Sequence, residues 1–113
     1  MFRTLTFLKR KSGMSREDFW AYYETRHAAL VAELAPSPLS YRRHYAVPAD
    51  PASMNVEALD FDVVTELEFA DREAHMRWLS ALSAPEARER LTADMLNFAD
   101  PSRFRVCVVD TAC

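Results

Sequence analysis

The stretch Asp60-Phe61-Asp62-Val63-Val64-Thr65-Glu66-Leu67-Glu68-Phe69 alternates as a strand does. Phe61, Val63, Thr65, Leu67 and Phe69 share one side; Asp62, Val64, Glu66 and Glu68 share the other. Downstream, Asp71 is placed to cap a helix on which Ala74, Trp78 and Leu82 recur at helical spacing, with Leu79 beside them. Pro85 suits the first turn of a further helical segment. Leu91, Met95 and Phe98 give that segment an i, i+4, i+7 stripe, and Pro101 ends it. Phe104 to Val109 follows as a strand with apolar residues on both faces.

Upstream, Phe2 to Lys9 reads as a strand, with Thr4, Thr6 and Leu8 on one face and Leu5 and Phe7 on the other. Gly13, the only glycine, stands where a turn with positive φ would precede a helix. Ser15 is a good N-cap, with Asp18 three residues on. The helix is predicted from about Arg16 to about Leu34, and Pro36 and Pro38 stop it. On a regular helix Phe19, Tyr22, Tyr23, Arg26, Leu30 and Leu34 form one stripe, with His27 toward its edge. Ser40 to Val47 reads as a strand with Tyr41, Arg43 and Tyr45 on one face and Arg42 and His44 on the other. Pro48 to Leu59 reads as a surface loop.

The order β-α-β-β-α-β is the ferredoxin-like arrangement, an α+β fold with a four-stranded antiparallel sheet and helices on one face. The first, third and last strands carry apolar residues on both sides, and the chain is too short to supply a second layer. Pairing of the bare face with another copy, as a homodimer, is the economical expectation.

Composition bounds the function. A chain of 113 residues, 50% hydrophobic and 27% charged, reads as one domain over residues 1–113, soluble and, by default, cytoplasmic. No apolar run is long enough to span a bilayer, and Arg3, Lys9, Arg10 and Lys11 interrupt the N-terminal segment. A net charge of −3 argues against nucleic acid. Cys107 and Cys113 lack zinc-ligand spacing and read as reduced thiols. The three histidines, His27, His44 and His75, fall on separate elements, so no metal is expected. Glycine is too scarce for a phosphate-cradling loop, which counts against a nucleotide cofactor.

Several segments resemble the EthD-like family. They are Phe7-Leu-Lys-Arg-Lys, then Gly13-Met-Ser-Arg-Glu-Asp-Phe-Trp-Ala-Tyr-Tyr with Arg26-His27-Ala, then Asp62-Val-Val-Thr-Glu-Leu-Glu-Phe-Ala-Asp, and Asp94 with Phe98. The resemblance covers about residues 5 to 109. It implies a dimeric α+β barrel, two sheets packed back to back, and a pocket in each subunit between sheet and helices. Relatives include a protein of ether degradation, fungal polyketide-tailoring enzymes and muconolactone isomerases, many of them working without metal or organic cofactor. In several of them the histidine that matches His27 lies in the pocket.

Candidate chemistry follows from residue type. His27 is the leading general acid or base, since imidazole titrates near neutral pH; the competing role is a core histidine held by a backbone carbonyl. Tyr23, one turn from His27, and Tyr41 and Tyr45 can each donate to a developing oxyanion, or simply pack. Arg43, on the face of Tyr41 and Tyr45, can hold a carboxylate or enolate oxygen, or pair with Glu66 or Glu68. Asp62, Glu66 and Glu68 read first as salt-bridge partners of Arg42, Arg43 or Arg105, with Asp62 singled out only by the family motif. Asp94 reads as a helix cap or structural hydrogen bond. Phe7, Leu30, Trp78, Phe98 and Phe104 are expected as apolar pocket walls.

The expectation is a small cofactor-independent enzyme acting on an aromatic, lactone or polyketide-derived molecule. The chemistry would be proton transfer leading to isomerisation, dehydration, decarboxylation or ring closure. A cofactor-free monooxygenase on the same fold, and a non-catalytic accessory protein supporting an oxidase, are the rivals.

Overall fold

Local signals and tertiary structure agree closely along the chain. The computed structural model describes residues 1–112. Its strands are β1 (Phe2–Leu8), β2 (Ser40–Tyr45), β3 (Val63–Phe69) and β4 (Arg105–Val109). The first helical arm is α1 (Arg16–Tyr22), a π-helical turn (Tyr23–His27) and α2 (Ala28–Leu34). The second is α3 (Arg72–Ser83) followed by α4 (Pro85–Leu96), and a short 3-10 turn (Pro101–Arg103) leads into β4. The caps work as expected: Ser15 Oγ accepts from Asp18 N–H at 3.0 Å, and the Asp71 carboxylate accepts from Ala74 N–H at 2.8 Å. Gly13 takes φ +82°, a conformation that only glycine adopts without strain.

The sheet order is β2-β3-β1-β4, all antiparallel. This is the ferredoxin-like α+β fold. Register places Thr65 opposite Thr6, Tyr41 opposite Leu67 and Val106 opposite Thr6 on the other flank. Phe2, Thr4, Leu8, Val63, Thr65, Leu67 and Phe69 therefore share one face and are buried under the helices. The main core gathers Leu8, Phe19, Tyr23, Val63 and Phe98, and a smaller cluster gathers Phe2, Leu67 and Phe69. Each large side chain fully buried here contributes about 1.5–3 kcal/mol.

The opposite face is bare of helices. Arg3 bonds Glu68 at 2.8 Å and reaches Glu66 at 3.3 Å, and Arg42 and His44 also approach Glu66. Phe7 packs edge-on against Phe61 on this face, with ring centroids 5.3 Å apart. No helix among the described residues is long and apolar enough to cross a membrane.

The first helical arm departs from expectation in one respect. A regular helix would place Arg26 on the core stripe, yet Arg26 is exposed. The buried residues are Phe19, Tyr23, His27 and Val31, spaced by four. The π-helical turn, which closes i→i+5 bonds, widens the helix locally and realigns residues four apart on one face. It turns His27 from the stripe's edge into its centre.

Candidate active site

Between the helices and the inner sheet face lies a cavity of about 220 Å³. The sheet floor supplies Thr4, Thr6, Thr65 and Tyr41; the first arm supplies Tyr23, His27 and Val31; α3 supplies His75 and Trp78. Nearly all of the wall is hydrocarbon, so its few polar atoms stand out.

His27 is 8% exposed, and its Nδ1 lies 2.8 Å from Asp94 Oδ2. The other Asp94 oxygen accepts the Tyr22 hydroxyl at 2.6 Å, and Tyr22 in turn accepts from the Asn97 amide at 3.0 Å. A carboxylate on Nδ1 holds the proton there and leaves a lone pair on Nε2. Nε2 has no hydrogen-bond partner among the described residues. Burial pushes the imidazole below its ordinary value, while the bond to Asp94 and its charge pull the other way. Phe98, fully buried, packs on the imidazole with centroids 5.0 Å apart, and Tyr23 meets it edge-on at 5.2 Å.

Beside the imidazole runs a row of hydroxyls. Tyr23 Oη lies 2.6 Å from Thr65 Oγ1 and 3.2 Å from Tyr41 Oη. Two bonds among three hydroxyls commit two of their three protons, so one O–H remains to donate. Burial is the first cause holding both tyrosines above the ordinary phenol value, so they stay protonated donors at neutral pH.

Behind the tyrosines sits an ion pair. Glu24 accepts from Arg43 Nε at 2.6 Å and Nη2 at 2.9 Å, and from the Tyr45 hydroxyl at 2.6 Å. The Arg43 guanidinium covers the Tyr41 ring at 4.8 Å and the Tyr23 ring at 5.8 Å. Arg43 holds the Glu24 carboxyl below its usual range.

Of the residues singled out from sequence, His27, Tyr23, Tyr41, Trp78 and Phe104 line the cavity. Phe98 backs the imidazole instead. The others lie elsewhere, each for a local reason. Phe7 faces the bare side of the sheet, as strand alternation requires. Leu30 lines an outer groove between α2 and α4. Tyr45 is drawn to Glu24 and stacks on Trp20 at 4.0 Å. Arg43 pairs with Glu24 rather than Glu66 or Glu68. Asp62 accepts from Arg10 N–H at 2.8 Å. Sequence reasoning missed Glu24, Thr65 and His75, and gave Asp94 a generic structural role. The signal for Asp94 was its place one turn before Phe98, on the face that meets the first arm.

The EthD domain model matches residues 11–102. The chain belongs to the EthD family. Among solved structures, this EthD protein is similar to At3g17210 from Arabidopsis thaliana, with TM-score 0.68 and 15% identity over 100% of this chain and 97% of that one. An EthD family protein from Bacillus halodurans c-125 matches with TM-score 0.64 and 17% identity, over 99% of this chain and 100% of that one. A dimeric ferredoxin-like protein of unknown function from Jannaschia sp. CCS1 matches with TM-score 0.59 and 15% identity, over 97% and 98%. At such identities the likeness establishes the fold alone. No curated protein matches the EthD chain in sequence.

Proposed function

We propose that this EthD protein is a cofactor-independent enzyme in which His27 moves a proton on a small, largely apolar substrate bearing a carbonyl or phenol. One observation carries the reading: a buried imidazole on the wall of an apolar cavity has Nδ1 committed to Asp94 and Nε2 uncommitted. Nε2 removes a proton next to the substrate carbonyl, and the negative charge passes to the oxygen. The hydroxyl row of Tyr23, Tyr41 and Thr65 donates its remaining O–H to that oxygen. The resulting imidazolium is stabilised by Asp94 and returns the proton at another carbon or at a departing hydroxyl. The products are those of isomerisation, dehydration or ring closure, and the same geometry serves decarboxylation if Nε2 takes the proton of the substrate's carboxylic acid and returns it to the carbanion left as CO2 departs.

The substrate class is aromatic, lactone or polyketide-derived, in keeping with a hydrocarbon wall that includes Trp78 and Phe104. The active form is a homodimer paired through the bare sheet face. The dimeric state of the Jannaschia neighbour and the half-buried Leu5, Phe7 and Val64 on that face support this reading.

The test is a screen of aromatic ketones, lactones and polyketide mimics for deuterium exchange and turnover, run with and without oxygen. His27→Asn serves as control. Exchange that survives anaerobically and disappears in the variant is the expected result. Turnover only in oxygen would assign a monooxygenase instead. Binding without any turnover, unchanged by His27→Asn, would assign an accessory protein.

A further inference from the structure

The cavity does not end at the imidazole. Its wall near β4 includes Leu82, Leu91, Met95, Phe104 and Val106, and the first four of these also line an open groove of about 280 Å³ between α4 and the β4 approach. Arg88, Thr92, Leu96 and Pro101 complete the outer part of that groove, the exposed Arg88 being its one charged residue. The inner chamber alone, at about 220 Å³, falls short of the roughly 300–1,000 Å³ typical of small-molecule sites. The groove adjoins it across the four shared residues. Polarity is also divided along this path. The hydroxyl row and His27 meet the inner chamber, while the residues shared with the groove carry no hydroxyl, amide or charge. Phe104, at the junction, is 45% exposed, and Leu96 is 53% exposed.

We propose that the groove is a tail subsite: the substrate is an amphipathic molecule with a compact oxygenated head at His27 and an unbranched apolar chain passing Leu91 and Met95 to the surface at Leu96. This rests on the reading of the inner chamber as a proton-transfer site. Leu91 is then the gatekeeper of chain length, because it belongs to both compartments. The four wall residues that the groove shares with the catalytic chamber are what select a substrate chain as the occupant over a second protein.

The probes are para-ethylphenol, para-pentylphenol and para-octylphenol, measured by titration calorimetry on the full chain. Each methylene buried in the groove strengthens binding by about fourfold. Thr92→Trp fills the outer groove from an exposed position and leaves the inner chamber untouched. Leu91→Trp closes the junction, and a thermal melt checks its fold. The proposal expects affinity to climb from ethyl to octyl in the natural protein. In Thr92→Trp the octyl gain disappears while para-ethylphenol binds as before, and the assembly state by light scattering is unchanged. Affinity that is flat beyond ethyl, or an octyl gain that survives Thr92→Trp, overturns the subsite while leaving the proton-transfer reading intact. A change of assembly state with an unaltered octyl gain overturns it too, and assigns the groove to a second copy. Failure of para-ethylphenol itself to bind counts against the inner chamber, and so against the reading beneath.

Discussion

Asp94 and His27 stand sixty-seven residues apart in sequence and meet at 2.8 Å. The carboxylate that reaches Nδ1 is itself tied to Tyr22 at 2.6 Å, so three elements of the fold converge to aim one ring. A histidine that only filled space would not need a carboxylate held in place by a second residue. The imidazole is oriented, buried and left with one free nitrogen, which is the arrangement a general base requires.

Removing the imidazole therefore reduces turnover much more than stability. His27→Asn is predicted to lower kcat/KM by roughly 10²–10⁴-fold, the usual contribution of general acid–base catalysis. Asp94→Asn keeps an acceptor near Nδ1 but no charge, and gives a smaller loss. Steady-state kinetics on the first active compound from the screen, beside thermal melts of each variant, check both.

The pH dependence has a definite sign. His27 is held below its ordinary value, chiefly by burial, and in the proposed reaction it is the neutral base. Activity rises with pH through an acid limb whose midpoint lies below about 6.5. Asp94→Asn removes a cause that raises the value, so its midpoint moves lower still. Stability runs the same way. The unfolded chain takes up a proton as pH falls through about 6.5, and the buried ring does not, so this contribution is present above that pH and lost toward the folded value. His75, also held low by burial and by Arg72, adds to the trend. Urea midpoints across the range should fall on the acid side, less steeply in His27→Asn.

The hydroxyl row is tested by taking one oxygen at a time. Tyr41→Phe leaves the 2.6 Å bond between Tyr23 and Thr65 in place, so stability changes little. Tyr23→Phe breaks both bonds of the row and costs about 0.5–1.5 kcal/mol for each. Loss of the donor to the developing oxyanion is predicted to lower kcat by roughly 10²-fold, with KM nearly unchanged. A rise in KM alone would show that the row binds substrate without acting in the transition state.

Arg43 and Glu24 are predicted to position the tyrosines. The pair is partly buried, with side chains 22% and 29% exposed, and its bonds are charge-assisted. Arg43→Ala is predicted to destabilise by about 1.5–3 kcal/mol and to weaken turnover through Tyr41. Glu24 is held low first by Arg43, so its contribution is present above the unfolded carboxylate value and is lost as pH falls through the folded one. Glu24→Gln removes that acid-side loss, which a pH series of denaturant melts would reveal.

Much of this molecule was readable in its sequence. Alternation in Val63–Phe69, the caps Ser15 and Asp71, Gly13 and the proline stops determined the order of elements, and the order determined the topology. His27, Tyr23 and Tyr41 were legible as candidates from residue type, with Tyr23 one helical turn from His27, and all three line the cavity. The π-helical turn was not, since no residue type encodes an extra backbone step, and that turn is what exposes Arg26 and centres His27. Glu24 was equally hidden, and so was the histidine that Asp94 would meet, although the family resemblance had marked Asp94 itself. A carboxylate on a helix surface looks the same in sequence whether it meets water or a partner from a distant element. Placing Phe7 among the pocket walls contradicted its own strand's alternation, which sends it to the bare face.

The most direct measurement is the tautomer and titration of His27 by nitrogen-detected NMR, with His44 and His75 assigned by substitution. The prediction is a neutral ring at neutral pH, its proton on Nδ1 and its lone pair on Nε2. It should titrate below the ordinary histidine value, with an Nε2 resonance that moves when para-ethylphenol binds. A proton resident on Nε2, or an imidazolium at neutral pH, would contradict the assignment of His27 as the base.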